Sequence, residues 1–242
     1  MANPDYGLDA PGVVRKMGIR GGVLIVLGIL LYVMNQTTNP AGGRALSSIA
    51  LSIGITFVAV ALVMIWSSKS AKFGMRDSIL DKFPWRGDEK VLDVGCGRGL
   101  FLIGAAKRLK TGRATGIDLW QSEDLSGNRA EATLANAKFE GVGDRVKVET
   151  GDARKLPFPD RSFDVVVSSL TIHNIPDAVG REQAVSEMVR VLKPGGRLAI
   201  LDIFQTPKYA KALERLGMAD VELSGMSFPW CCPTWHVTSR KP

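Results

Sequence analysis

The sequence predicts an α/β fold, a doubly wound parallel sheet preceded by two transmembrane helices. Three observations carry this reading. From residue 89 onward, short apolar runs alternate with helical patterns. The first of those runs ends in a glycine-rich turn, Val91-Leu-Asp-Val-Gly-Cys-Gly-Arg-Gly99. Two uncharged stretches stand in front of it, within the first 66 residues. Strands alternating with helices build a parallel sheet covered on both faces, and an uncharged run of membrane length reads as a span.

The elements follow in chain order. Gly21 to Met34 is 14 residues without a charge, about 21 Å of helix. It spans a bilayer only if Gly18 and Ile19 join it and Arg20 snorkels. Ala45 to Trp66 is 22 uncharged residues, about 33 Å and enough for a ~30 Å hydrocarbon core. Asn35 to Gly43 is polar and turn-rich, as a hairpin loop should be. Ala50 and Gly54 have the small-xxx-small spacing that lets helices approach closely. Arg15, Lys16 and Arg20 precede the hairpin, Lys69, Lys72 and Arg76 follow it, and Arg44 alone lies between. The positive-inside rule then puts both termini in the cytoplasm. A cleaved signal peptide also fits the first run, but the second run argues for a retained anchor. The chain divides into an N-terminal segment (1–17), the hairpin (18–66), a basic linker (67–88) and the α/β domain (89–242), whose core is expected to begin near Glu89.

In that domain the first strand leads through the glycine turn into a helix, Leu100 to Leu109. Glycines let the backbone turn sharply and approach a ligand, and a helix start favours a negative group. The second strand, Arg113 to Asp118, ends in an acid 19 positions after Gly99, close to the ~20-residue spacing of a ribose-binding carboxylate. The third strand, Val146 to Thr150, is followed by Gly151-Asp152-Ala153, and the fourth, Phe163 to Ser168, is nearly all apolar. The fifth, Arg197 to Asp202, follows the turn Lys193-Pro-Gly-Gly196. Helical patterns cover Arg129 to Glu140, Arg181 to Leu192 and Lys208 to Leu216, and the last strands are Asp220 to Leu223 and Trp235 to Arg240.

VLDVGCGRG, GIDLW, GDARKLPFPDRSFDVVVSS and RVLKPGGRL, in this order, resemble a class I S-adenosylmethionine-dependent methyltransferase of the small-molecule, lipid or quinone type, with a Rossmann-like sheet. The resemblance covers Glu89 to Arg240. A nicotinamide enzyme fits less well, because Leu100 stands where its fingerprint wants a last glycine and Asp93 interrupts the first strand. The resemblance implies a cofactor site residue by residue. Gly95, Cys96, Gly97 and Gly99 lie against the methionine part, and Asp93 helps hold its amino group. Asp118 takes the ribose hydroxyls, and Leu119 and Trp120 flank the adenine. Asp152 accepts the adenine amino group with Ala153 beside it, and Ser168 and Ser169 close the site.

Methyl transfer from a sulfonium asks for alignment and exclusion of water, and for a base only where the acceptor loses a proton. Of two histidines, His173 follows the fourth strand and is the candidate base, although a loop-capping role fits it too, and His236 reads as structural. The net charge is +7 with a pI near 9.5, but no basic stripe with interleaved aromatics suggests nucleic acid. The excess includes Lys69, Lys72, Arg76, Lys82 and Arg86, which read as contacts to anionic lipid. The loop after the fourth strand, Ser168-Ser-Leu-Thr-Ile-His173, is unlike the Asn-Pro-Pro-Tyr loop of amino-methylating enzymes. Three cysteines, Cys96, Cys231 and Cys232, make no disulfide framework and no metal site, so thiol or arsenic chemistry is a minor alternative. With no long insertion to form a lid, residues 67–88, residues 120–128 and the aromatics Phe228, Trp230 and Trp235 are expected to bound the mouth. The acceptor expected is a hydrophobic small molecule, such as a quinone, isoprenoid, lipid or small thiol. A membrane-tethered module that binds the cofactor without turnover is the rival reading.

Overall fold

The computed structural model describes residues 4–38, 40–121, 125–228 and 233–242. Two long helices come first, α1 (Pro11–Thr38) and α2 (Pro40–Lys69), followed by α3 (Ala71–Leu80). The α/β domain then runs β1 (Lys90–Val94), α4 (Leu100–Ala106), β2 (Arg113–Asp118), α5 (Ala130–Phe139), β3 (Val146–Thr150), β4 (Phe163–Ser169), a 3-10 turn (Ile172–Asn174), α6 (Ala178–Val191), β5 (Leu192–Ile203), α7 (Thr206–Arg215), β6 (Ala219–Leu223) and β7 (Thr234–Arg240).

The strands form one sheet in the order β3-β2-β1-β4-β5-β7-β6. It is mixed, not wholly parallel. The first five strands pair in parallel, but β7 runs antiparallel to both β5 and β6. β7 begins at Thr234, close after β6 ends at Leu223, a separation shorter than a parallel crossover needs, and the strand runs back antiparallel. Order reverses at the β1/β4 junction, so a crevice opens beyond the carboxyl ends of these strands. Lys193-Pro-Gly-Gly196 bulges out of β5. Phe163 pairs with Leu192, and two residues later Val165 pairs with Arg197.

Each face of the sheet has its own core. On one side α3 and α4 contribute Ile79, Leu80, Phe101 and Leu102. On the other, α6 and α7 contribute Val185, Met188, Tyr209 and Leu213. The local signals are legible: the Asp177 carboxylate accepts the Gly180 N–H at 2.6 Å to cap α6, and Gly99 turns into α4 with φ of +89°.

Helix α1 and helix α2 pack along each other as an antiparallel hairpin. Much of the polar stretch Asn35–Gly43, expected as a loop, is helical, since α1 continues to Thr38 and α2 already begins at Pro40. Proline suits a first helical turn because its missing N–H has no partner there anyway. The close approach lies at Gly54, as the small-xxx-small spacing suggested, but its partner is on the other helix. A Cβ on Gly21 or on Gly54 would stand 2.8 Å from the other glycine's carbonyl oxygen. The outward faces are apolar and exposed, with Ile19, Val23, Ile55 and Leu62 all more than half accessible.

The segments on either side of the hairpin fold into the α/β domain. Residues 4–10 form a strap. The Tyr6 ring sits in the first core, edge-on to Phe73 with centroids 5.3 Å apart, and its hydroxyl donates to Glu140 at 2.9 Å. The stretch 67–88 is accordingly not a plain basic linker. Lys72 is 2 % exposed. Its ammonium donates to the Tyr6 and Gly7 carbonyls at 3.1 and 3.3 Å and pairs with Asp9 at 3.5 Å. Arg76 is also buried and pairs with Asp77 at 2.8 Å. Both are turned into the protein instead of outward, Lys72 against the strap carbonyls and Asp9, and Arg76 against Asp77. Lys69, Lys82 and Arg86 remain exposed. Removing the Tyr6 ring should therefore unsettle the whole domain. Tyr6→Ala is expected to lower its unfolding free energy by about 3 kcal/mol, and Tyr6→Phe, which loses only the hydrogen bond, by about 1 kcal/mol, both read from denaturant unfolding in detergent.

Candidate active site

A cavity of about 570 Å³ opens at the carboxyl edge of the sheet, and its wall includes Asp93, Gly95, Cys96, Gly97, Asp118, Leu119, Asp152, Ala153, Ser169 and His173. Ten of the expected site residues thus meet in one place. Each of the first three strands delivers an acid at or just beyond its end: Asp93 in β1, Asp118 closing β2 and Asp152 after β3.

Three expected cofactor residues are not in the wall. Gly99 turns the chain into α4, and a Cβ there would meet Ile103 and Thr133, not the cavity. Ser168 points into the sheet and donates to the Val94 carbonyl at 2.8 Å. Alternation along a strand then sends its neighbour Ser169 to the cavity. Trp120 takes a left-handed φ of +61°, and its indole N–H donates to the Thr150 hydroxyl at 2.8 Å, so it packs beside the site. Phe228 and Trp235 are likewise outside the wall, and Trp230, Cys231 and Cys232 lie outside the described residues.

Asp118 holds the site together. Its Oδ2 accepts the Gly97 N–H at 2.8 Å, and its Oδ1 accepts the Trp120 N–H at 2.7 Å and the Asn128 side-chain amide at 3.1 Å. Asp152 is paired with Arg154 at 2.6 Å, and hydrogen bonding from that guanidinium holds its carboxyl below the usual range. Asp93 is the opposite case. It is 1 % exposed, and neither carboxyl oxygen has a hydrogen-bond partner among the described residues. Burial, with Asp118 nearby, pushes it up to about 8. The Cys96 thiol is buried and pushed well up by burial, then by the two acids, so it is inert and simply small. Among the described residues no cluster of His, Cys, Asp and Glu fits a metal ion.

Sequence reasoning identified His173 and missed its partner. The fully buried Asp202, near the end of β5, accepts the His173 backbone N–H at 3.0 Å and contacts ring Nδ1 at 2.5 Å. An acceptor at Nδ1 makes that nitrogen the protonated one, which leaves Nε2 as the basic atom. Asp202 had been read only as a strand end. The strap and Lys72 were also missed: Tyr6, Asp9, Ala10 and Lys72 stand in the cavity wall. No periodicity marks a seven-residue strap whose partners are as distant as Asn136, 131 positions from Asp5, whose side chain bonds the Asp5 backbone N–H and carbonyl. His236 is on β7, where burial, then the Lys82 charge, lowers it to about 4, consistent with a structural role.

A glycine turn after β1, acids at the ends of β1 to β3, and a crevice at the order reversal define a class I methyltransferase domain. Residues 92–200 match the family model described as a methyltransferase domain, and this part of the chain is a class I S-adenosylmethionine-dependent methyltransferase domain. The chain is 35 % identical over 153 residues to 27-O-demethylrifamycin SV methyltransferase of Amycolatopsis mediterranei, covering 60 % of this chain and 52 % of that one. It is 37 % identical over 136 residues to the ubiquinone/menaquinone biosynthesis C-methyltransferase UbiE of Roseobacter denitrificans, covering 56 % and 50 %. It therefore spans about half the length of these curated relatives. A solved S-adenosylmethionine-dependent methyltransferase from Aquifex aeolicus shares the fold, with a TM-score of 0.53 at 22 % identity over 68 % of this chain and 88 % of that one.

The cavity fits the cofactor. Asp93 is an orphaned buried acid in a wall where an ammonium would satisfy it. Gly97 has a φ of +50°, and a Cβ there would stand 2.9 Å from the cavity residue Leu125. Asp93 gives a linkage test. An acid near 8 is mostly protonated at pH 7 in the free protein, so pairing it with an ammonium must expel roughly one proton. Calorimetry of S-adenosylmethionine binding at pH 7, in buffers of different ionisation enthalpy, should read that release, and Asp93→Asn should abolish it. Asp118→Ala should weaken binding by roughly 10- to 150-fold, the loss of ~1.5–3 kcal/mol from a charged hydrogen-bond partner.

Proposed function

We propose that the chain is a membrane-anchored methyltransferase that moves a methyl group from S-adenosylmethionine to a hydrophobic small-molecule or lipid-like acceptor. The observation that carries the reading is the His173–Asp202 pair in the wall of the cofactor cavity. When bound, the cofactor supplies an electrophilic methyl group on a sulfonium. Asp93, Gly95 and Gly97 hold its amino-acid part, Asp118 the ribose, and Asp152 with Leu119 and Ala153 the adenine. His173 Nε2 takes the proton that the acceptor loses as its new bond to carbon forms, and Asp202 fixes the ring and stabilises the resulting imidazolium. Charge and mass would balance: the acceptor would exchange a proton for a methyl group, His173 would hold that proton, and the donor sulfur would be left as a neutral thioether.

Two observations support the anchor. The helices Pro11–Asn35 and Gly43–Lys69 are long and apolar enough to cross a bilayer, and little of either is buried against the rest of the protein. A core helix of a water-surrounded protein hides its apolar face, whereas these expose it. The flanking Arg15, Lys16, Arg20 and Lys69 support a domain on the cytoplasmic side. Relatives named for ubiquinone, menaquinone and rifamycin support a hydrophobic acceptor.

The assay is a membrane preparation incubated with labelled S-adenosylmethionine and a total lipid extract, with the labelled product identified. His173→Ala should lower turnover by roughly 10²- to 10⁴-fold, the usual worth of a general base. Asp202→Asn should lower kcat by a smaller factor, and both should leave cofactor affinity unchanged. Binding without any labelled product across such extracts would favour the tether reading. The protein should also stay in the membrane through carbonate and high-salt washing, because the helices, not the exposed basic residues, hold it.

A further inference from the structure

The wall of the cavity extends beyond the cofactor acids to the two long helices. Val13 and Lys16 of α1, and Met64, Ser67 and Ser68 of α2, stand in its wall. Met64 belongs to the uncharged run Ala45–Trp66. The same cavity therefore touches both Asp93 and the apolar part of a membrane-length helix, with His173 in its wall as well. An anchor needs only length and apolarity, and its foot has no need to be built into a site. Here the foot is fixed. Ser67 and Ser68 are buried, Ser68 Oγ accepts the Asp9 N–H at 3.2 Å, and Lys72 clamps the strap at Tyr6, Gly7 and Asp9. Burial lowers the Lys72 pKa, so its ammonium depends on those three acceptors being in place.

We propose that the foot of the hairpin is the acceptor-binding subsite, which takes a bilayer-dissolved amphiphile tail-last: its apolar tail lies along Val13 and Met64 while its proton-bearing polar head passes Ser67 and Ser68 toward His173. The proposal rests on the methyltransferase reading above and adds where the acceptor enters and what it must look like. The base in the wall requires a head with an ionisable proton. Along α2 and into α3 the lining residues run from Met64 to Ser67, Ser68 and Lys72, and that order of polarity matches a molecule lying with its head at the membrane surface. A tail that stays in the bilayer is never exposed to water, so its length is not limited by the size of the cavity.

The test uses the full chain in phosphatidylcholine–phosphatidylglycerol liposomes. The probe is a phenol bearing a decyl chain with a diazirine on it, and a headless alkyl diazirine of the same length is the control. After irradiation, adducts are mapped by peptide mass spectrometry. The phenol should label Val13 or Met64 in preference to the exposed lipid-facing Val23 and Ile55, and the headless control should not. Met64→Trp, which fills the mouth without adding charge, should cut that labelling by about tenfold while calorimetry shows unchanged S-adenosylmethionine binding and the protein stays in the membrane. Labelling spread evenly over Val23 and Ile55, or unaffected by Met64→Trp, overturns the subsite. The lipid-extract assay fails or succeeds separately: methylation with even labelling sinks the subsite alone, and selective labelling without methylation sinks the enzyme reading alone.

Discussion

The bonds made by one carboxylate, Asp118, organise the site. It closes β2, and by accepting the Gly97 N–H it pins the glycine turn of β1 to the neighbouring strand. Its other oxygen bonds the Trp120 N–H and the Asn128 amide, which fixes the path of the chain on both sides of residues 122–124. The turn is held from the other side as well, where Thr133 donates to the Gly97 carbonyl at 2.7 Å and Asn136 to the Arg98 carbonyl at 3.0 Å. With these backbone groups engaged, the turn presents Gly95 and Gly97 to the cavity, where no side chain stands in the way of a close approach. Asp93 beneath it has no hydrogen-bond partner for either carboxyl oxygen among the described residues, and its burial favours the protonated form until a cation arrives.

Asn136 extends that arrangement to the front of the chain. It bonds the Arg98 carbonyl and both backbone groups of Asp5, so the glycine turn and the strap share a side chain. Asp5 also pairs with Arg98 at 3.0 Å. The strap leads straight into α1, and α2 leads straight into α3, whose Ile79 and Leu80 are fully buried in the first core. The two helices are thus fastened to the domain at both of their near ends. A hairpin attached by a flexible linker would let the domain tumble above the membrane. One fastened twice fixes where the helices meet the sheet, and their near ends stand in the wall of the cavity.

The sheet was legible because its strands are short, apolar and bounded by turn residues. β2 and β3 fall within their expected limits, and the other strands differ by a few residues at their ends, most at β5, where Lys193–Gly196 belongs to a bulge. The acids Asp93, Asp118 and Asp152 were legible because a strand end is readable from hydrophobicity alone. What sequence could not show is direction. Ser168 and Ser169 are equivalent in the sequence, and the pleat decides that one bonds Val94 and the other lines the cavity. Trp120 follows a cofactor position, but a positive φ turns its ring aside. Asp202 was invisible as a partner of His173 because that contact is made across 29 positions. Lys72 read as a lipid contact because a lysine beside a membrane helix usually is one, and only the tertiary packing of Tyr6 and Gly7 supplies the acceptors that bury it.

Charge ties the pieces together. The chain is basic overall, yet the carboxyl edge of its sheet carries Asp93, Asp118, Asp152 and Asp202. An acidic rim on a basic protein is costly unless something cationic belongs there, and the free protein relieves it unevenly. Arg154 neutralises Asp152, backbone and amide donors satisfy Asp118, and Asp93 stays neutral by keeping its proton. S-adenosylmethionine brings two positive centres, an ammonium and a sulfonium. The first suits Asp93, while the second is lost with the methyl group. The attraction of the rim is therefore strongest before transfer and weaker after it, since the product keeps the ammonium and lacks the sulfonium.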